Sequence, residues 1–512
     1  MNLSSKASLI GALLGLSLSG TALALSNDVS PKAYRVSSAP AEPLQMDAPK
    51  LPDLTPFTAA AVQAKIQTKP QGRVSVRRMI GMDQLTEFTG GDERLREWVG
   101  RQGGMPEAIV IEGGYVTPAM LAKALKPVQF RETEPGIYLQ RLPLVVMPDA
   151  TLHIDKNTRD LRLSSERGAF IINDGKLFIT DTRVTAWREA ENRQDWFEKK
   201  GRFRPFINSW GGTETYVSNS TISSLGYTKS KSYGFSISQY SPSMAPKMGR
   251  GHPTGWLLNT LFDDMWYGFY CYEADDVVLR GNTYKNNIVY GIDPHDRSRR
   301  LIIAENTAYG TVQKHGIIIS REVNDSWIFN NVSYDNHLSG IVIDRSSVNN
   351  VIAYNETYRN LSDGVTIYES GNNLLWGNKA LNNQRHGIRV RNSMNVKLYE
   401  NLVVGNGKLG VYGHVKDLSN TDRDVLLDPF ETNISMLIVG GKLVANASGP
   451  MGVDSPLSLE LYRVEMLSPT KSAGITLPGV LGAYQDTILD LLVRQDKPVL
   501  IDYLGADMEA KR

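Results

Sequence analysis

Asn331-Val-Ser-Tyr-Asp-Asn-His-Leu-Ser-Gly340-Ile-Val-Ile-Asp344 and Asn355-Glu-Thr-Tyr-Arg-Asn-Leu-Ser-Asp-Gly364-Val-Thr-Ile-Tyr368 are one pattern written twice. Each has an asparagine, a polar stretch, a glycine and a short apolar strand. Working outward, the asparagine recurs at Asn259, Asn282, Asn306, Asn331, Asn355, Asn378 and Asn401, at spacings of 23, 24, 25, 24, 23 and 23 residues. Nine or ten residues after each comes Gly268, Gly291, Gly316, Gly340, Gly364, Gly387 or Gly410. A fixed period of this length is the mark of a solenoid, in which no repeat can bury its apolar face without its neighbours.

Side chains alternate between the faces of a strand. The first and third residues after each glycine therefore predict a core face: Phe269/Cys271, Ile292/Pro294, Ile317/Ile319, Ile341/Ile343, Val365/Ile367, Ile388/Val390 and Val411/Gly413. Cys271 reads as a buried, inert thiol. The fixed leucines of a leucine-rich repeat are absent, so the period predicts an all-β fold, a parallel β-helix solenoid with N-terminal and C-terminal caps. Parallel crossovers favour the right-handed sense. Equivalent asparagines are expected to stack as an amide ladder.

The rest of the chain divides around this core. Lys6 and the apolar run from Ala7 to about Leu18 precede Ala22-Leu23-Ala24, which predicts a signal peptide over 1–24, cleaved after Ala24. Residues 25–71 are rich in Pro, Ala and Ser and read as a leader or linker outside the core. Mixed helix and strand signals over 72–129 predict an N-terminal cap, the β-helix is placed at 130–420, and 421–512 is expected to cap the other end, with a helix near Ala483–Val493. No later stretch is apolar enough for a membrane span. A formal charge of +2 over 512 residues, without a basic arm, argues against nucleic acid as a partner.

The second and fourth positions after each glycine should face outward: Tyr270/Tyr272, Asp293/His295, Ile318/Ser320, Val342/Asp344, Thr366/Tyr368, Arg389/Arg391 and Tyr412/His414. The fifth position adds Asp296, Arg321, Arg345, Glu369 and Asn392. Tyr272, Asp344, Arg345, Tyr368, Arg389 and Arg391 are candidate substrate contacts, because aromatic rings stack on sugars and guanidinium forks pair with carboxylates. His295 stands out. Pro294 cannot donate to the strand ladder, Asp293 and Asp296 flank the imidazole, and Arg321 falls one coil later at the position of Asp296. Proton abstraction next to a carboxylate needs a base and a cation that neutralises the growing charge, which His295 and Arg321 could supply. Reprotonation from the opposite face, by Tyr290 or water, gives epimerisation; loss of the O4 substituent gives elimination. The residues alone leave both open. No His, Cys or carboxylate cluster has metal-ligand spacing. His315 and His386 read as turn residues, His153, His252 and His337 have no matching partners, and His414 shares the outward column.

Tyr290-Gly-Ile-Asp-Pro-His-Asp296 resembles the Tyr-Gly-x-Asp-Pro-His-acid motif of bacterial mannuronan C5-epimerases, and nearly the whole chain is similar to their periplasmic branch. The resemblance implies a right-handed β-helix that converts D-mannuronate to L-guluronate within polymeric alginate during export. His295 would be the base and Arg321 the neutralising cation, with Tyr290, Asp293 and Asp296 completing the catalytic set. It implies a polymannuronate or alginate chain as substrate, proteins of a periplasmic and outer-membrane alginate secretion complex as partners, and a periplasmic location. The glycine-aspartate nonapeptides of the calcium-dependent branch are absent, so no metal or other cofactor is expected. A polyuronate lyase is the enzyme alternative, and a non-catalytic polysaccharide-binding β-helix is the alternative from another class.

Overall fold

A computed structural model of the protein describes residues 33–39, 44, 47–426, 428–468 and 474–505. The expected signal peptide lies outside the described residues. Successive coils each give one strand to three sheets of 15, 14 and 15 strands, whose neighbours pair in parallel except at the ends. In the 14-stranded sheet seven consecutive strands matter here: β1 (Tyr267–Tyr272), β2 (Tyr290–His295), β3 (Ile317–Ser320), β4 (Ile341–Asp344), β5 (Val365–Tyr368), β6 (Ile388–Arg391) and β7 (Leu409–His414). Their register aligns Tyr272, His295, Ser320, Asp344, Tyr368, Arg391 and His414 in one column.

The first-and-third face fills the lumen. Ile292, Ile317, Ile319, Ile341, Ile343, Val365, Ile367, Ile388 and Val390 belong to one continuous core with Phe269 and Cys271. Each such side chain contributes about 1.5–3 kcal/mol on leaving water, so stacking coils is what makes the coils stable. Burial pushes the Cys271 thiol up to about 12, which keeps it protonated.

The amide ladder forms through Asn282, Asn306, Asn331, Asn355, Asn378 and Asn401, with Nδ2-to-Oδ1 distances of 2.9–3.1 Å. Asn259 does not join it. Its exposed side chain sits on a left-handed residue with φ 49°, and Thr260 occupies the rung, its backbone N–H donating to Asn282 Oδ1 at 3.0 Å. Asparagine tolerates the left-handed region as readily as it joins a ladder, so the residue type alone does not place it. A second ladder runs through Asn336, Asn360, Asn383, Asn406 and Asn446.

The parallel coils exceed the expected 130–420. Glu107–Glu112 already pairs in parallel with Leu144–Val146, and Ser435–Val439, Lys442–Val444 and Gly449–Val453 continue all three sheets. The loop between His414 and Ser435 lengthens one repeat and hides the period there. Leu481 and Ile488 close the far end, where the expected helix forms as a continuous helical run: a 3-10 turn at Val480–Tyr484, an α-helix at Gln485–Leu489 and a π-turn at Asp490–Arg494.

The leader is not peripheral. Tyr34–Ser38 pairs with Val499–Tyr503, Leu44, Leu51 and Leu54 pack beside Trp327 and Trp376, and Val62 is fully buried beside Phe178 and Tyr216. Its apolar residues follow no period because they match a ring of outward aromatics on another sheet rather than forming an element of their own.

Candidate active site

Pro294 breaks the ladder where the motif lies. Strand β2 aligns with β3 only at Ile292 with Ile317 and at His295 with Ser320, leaving Asp293 and Pro294 without partners in that register. The chain then leaves the strand through left-handed residues, Asp296 at φ 33° and Arg297 at φ 56°. The same turn recurs in each coil at Arg321, Arg345, Glu369 and Asn392, with φ of 63°, 49°, 50° and 50°. Backbone hydrogen bonds lock the turns together: Asp296 N–H donates to Ser320 O at 3.0 Å, and Arg297 N–H to Arg321 O at 2.9 Å. Arg321 is therefore held one rung from Asp296.

Nδ1 of His295 is hydrogen-bonded to Asp296 Oδ2, and Arg321 Nη1 lies 3.6 Å from Asp296 Oδ1. One carboxylate thus holds an imidazole on one oxygen and a guanidinium near the other. With Nδ1 donating to the carboxylate, the lone pair sits on Nε2, the nitrogen free for proton transfer. Burial opposes a charged His295, but the Asp296 hydrogen bond and the charges of Asp293 and Asp296 outweigh it, so its pKa rises above 6.5. Burial pushes the Asp296 carboxyl up, but the bonded His295 and the charges of Arg321 and Arg297 pull it below the usual range. Arg321 keeps 43% of its side chain exposed, enough to meet a ligand.

Asp293 does not hold the imidazole by a hydrogen bond. It is buried, its Oδ1 has no partner among the described residues, and burial pushes its pKa up to about 7. The second outward column is covered as far as the Thr366 coil: Tyr270, Ile318, Val342 and Thr366 are buried with it, and only Arg389 and Tyr412 stay half-buried. At Thr366 the cover is visible, since its hydroxyl lies 3.2 Å from Ser339 Oγ and 3.3 Å from Asp363 Oδ2, in the turns just before the repeat glycines. There the polar stretches before Gly340 and Gly364 fold over the column, which alternation alone does not reveal.

Tyr290 opens β2, and its Oη accepts from Lys314 Nζ at 3.1 Å. Burial raises its pKa, so the phenol stays protonated. Of the expected substrate contacts, Tyr272 has Lys231 Nζ 3.6 Å from its ring centroid and accepts from Arg297 at 3.3 Å. Tyr368 lies under Arg391, whose guanidinium is 3.9 Å from the ring centroid. Arg391 pairs with Glu369 at 2.6 Å and Arg389 with Asp363 at 3.4 Å, leaving their side chains only 14% and 15% exposed. Arg345 stays 40% exposed between Asp344 at 3.8 Å and Asp428 at 3.5 Å. Burial pushes the Asp344 carboxyl up, and neighbouring Glu369 adds to the rise.

Lys314 reaches this face from the polar stretch just before Gly316, and Lys231 and the 415–434 loop, through Asp428 and Arg423, reach it from outside the seven countable repeats; alternation along the strands singles out none of them. Arg423 pairs with Glu369 and, at 2.8 Å, with Asp428. Among the described residues no group of three or more His, Cys, Asp or Glu side chains could hold a metal ion. No described helix is long and apolar enough to cross a membrane.

Fold and face together define a β-helix protein with a charge-lined outer face on which Asp296 orients the His295 imidazole. The family model described as a right handed beta helix region matches residues 267–421. The chain is 61% identical over 471 residues to the mannuronan C5-epimerase of Pseudomonas putida, covering 92% of this chain and 91% of that one. It is 64% identical over 476 residues to the mannuronan C5-epimerase of Pseudomonas aeruginosa, covering 93% and 88%. A crystal structure of the periplasmic alginate epimerase AlgG superposes with a TM-score of 0.82 at 55% identity, covering 83% of this chain and all of that one. The chain belongs to the mannuronan C5-epimerase family, and its β-helix is right-handed.

Proposed function

We infer that the protein is a periplasmic mannuronan C5-epimerase, converting D-mannuronate to L-guluronate residues within alginate, with His295 as the base. The observation that carries the assignment of roles is the Asp296 carboxylate that holds His295 Nδ1 on one oxygen and lies beside Arg321 on the other. A uronate seated over Nε2 of His295 gives up its C5 proton while its carboxylate lies against Arg321. Charge grows on that carboxylate as the proton leaves, so the guanidinium binds the transition state more tightly than the ground state. Protonation from the other sugar face completes the inversion. Tyr290 keeps its proton and has Lys314 at its hydroxyl, which suits it to deliver that proton or to orient a water that does.

Tyr272, Asp344, Arg345, Tyr368, Arg389 and Arg391 line the path of the polymer on successive coils. Arg345, more exposed and shared between two carboxylates, is the better candidate for a direct uronate contact than Arg389 or Arg391, which are engaged with Asp363 and Glu369. The protein works on the polymer during export, beside the proteins of a secretion complex.

Proton NMR of polymannuronate incubated with the protein in heavy water tests the reading. Guluronate carrying deuterium at C5 is the expected product; unsaturated chain ends would make the protein a lyase. Tyr290→Phe tests the hydroxyl: loss of turnover with retained binding places it in the reprotonation, as donor or as the group that orients a water, and retained turnover removes it from that step.

A further inference from the structure

The connection after β7 is long. Asn406 and Asn446, neighbours in the second ladder, are 40 residues apart, whereas the rungs before them are 23 or 24 apart. The extra length is the 415–434 loop, and it does not stay on its own coil. Asp344, Tyr368, Arg391 and His414 are consecutive in one register, so a residue of this loop that meets Arg345 has come back three rungs towards the catalytic coil, roughly 14 Å at a strand spacing near 4.8 Å.

The loop is held firmly at one point and loosely at another. Arg423 has only 6% of its side chain exposed and pairs with Glu369 in the turn after β5, a carboxylate that Arg391 also holds at 2.6 Å. The same guanidinium donates to Asp428 O at 2.6 Å, Pro429 O at 3.0 Å and Asp428 Oδ1 at 2.8 Å, which fixes the turn between them. That turn presents the other oxygen of Asp428 to Arg345, with Oδ2 3.5 Å from Nη1. The contact is longer than a hydrogen bond, and Arg345 keeps 40% of its side chain exposed. Val425 and Leu426, at the tip of the turn, are 39% and 94% exposed, so neither side chain pins the tip by packing.

A carboxylate carried back over three coils to an exposed guanidinium takes the place that the carboxylate of a bound sugar acid would take. With Asp344 already 3.8 Å from Arg345 Nε, a third carboxylate beside the same cation is repelled, so a ligand that pairs with Arg345 has to displace Asp428. We propose that the 415–434 loop is a clasp built into the fold: Asp428 stands in for a uronate carboxylate on Arg345, restrains polymer binding in the free protein and is displaced when polymer enters, while the Arg423–Glu369 pair keeps the loop attached. The proposal rests on the polyuronate reading above, in which this face is the polymer groove.

The test measures polymannuronate affinity and turnover in the wild type, Asp428→Asn, Arg345→Ala and the double variant. The amide can still accept from Arg423 but presents no charge to Arg345. Asp428→Asn should therefore bind polymer about twofold to fivefold more tightly, the scale of a partly exposed ion pair, with kcat unchanged. In the Arg345→Ala background the same substitution should bring no gain, because the group it acts through is gone. Unchanged or weaker binding by Asp428→Asn overturns the clasp. So does an equal gain with and without Arg345, which is a general charge effect. A wild type that binds polymer and shows the Arg345-dependent gain, but never places deuterium at C5, overturns the function and leaves the clasp standing.

Discussion

His295 sits between opposing influences, burial resisting its charge and the hydrogen-bonded Asp296 carboxylate favouring it. Because the second prevails, the pKa of His295 lies above 6.5, and if His295 is the proposed base the acid limb of the kcat/KM profile should lie above the ordinary imidazole value. Asp296→Asn removes the largest raising influence. Its acid limb should move to lower pH while kcat falls, because the amide no longer fixes the Nδ1–H tautomer. A limb that stays in place would detach Asp296 from the base. Arg321→Ala should lower kcat about a hundredfold to a thousandfold with a smaller effect on KM, the usual cost of one preorganised charge-stabilising donor. Arg321→Lys should recover only part, since an ammonium cannot form the bidentate fork. Nearly full kcat in Arg321→Ala would reduce Arg321 to a partner of Asp296. The juxtaposition of His295, Asp296 and Arg321 was legible in the sequence, because the repeat glycines Gly291 and Gly316 set the register that brings coil onto coil. The burial of Asp293 was not, since the residue types in the polar stretches before the glycines do not show over which column those stretches fold.

At the scale of the element, the amide ladder concentrates stability in single side chains. Asn355 Nδ2 donates to Asn378 Oδ1 at 3.0 Å and to Ile328 O at 2.8 Å, while its Oδ1 accepts from Asn331 Nδ2 at 2.9 Å and Asn331 N–H at 3.0 Å. All of these groups are buried. Asn355→Ala leaves several without partners and should destabilise the protein by about 2–4 kcal/mol, read from the denaturant midpoint. A shift within experimental scatter would mean that water replaces the amide. Asn259→Ala serves as a contrast and should cost far less, since Thr260 holds that rung. The ladder was readable from spacing, but its first rung was not, because a left-handed turn and a ladder both accept asparagine.

The whole molecule is tied together by segments that the repeat does not announce. The leader crosses the aromatic outer face of one sheet, and the strand Tyr34–Ser38 extends the edge formed by Val499–Tyr503. Val62→Asp places a charge in a fully buried position on that strap and should lower stability by more than about 3 kcal/mol. KM and kcat of the remaining folded protein should be unchanged, because the groove lies on a different sheet. A changed KM would show the strap to be coupled to the groove. The proposed mechanism turns on one atom, Nε2 of His295, and one experiment addresses it most directly. His295→Gln is incubated with polymannuronate in heavy water, and deuterium at C5 is followed by NMR while polymer binding is measured in parallel. The account predicts polymer binding close to wild type with no deuterium entering at C5, whereas exchange at the wild-type rate would contradict it.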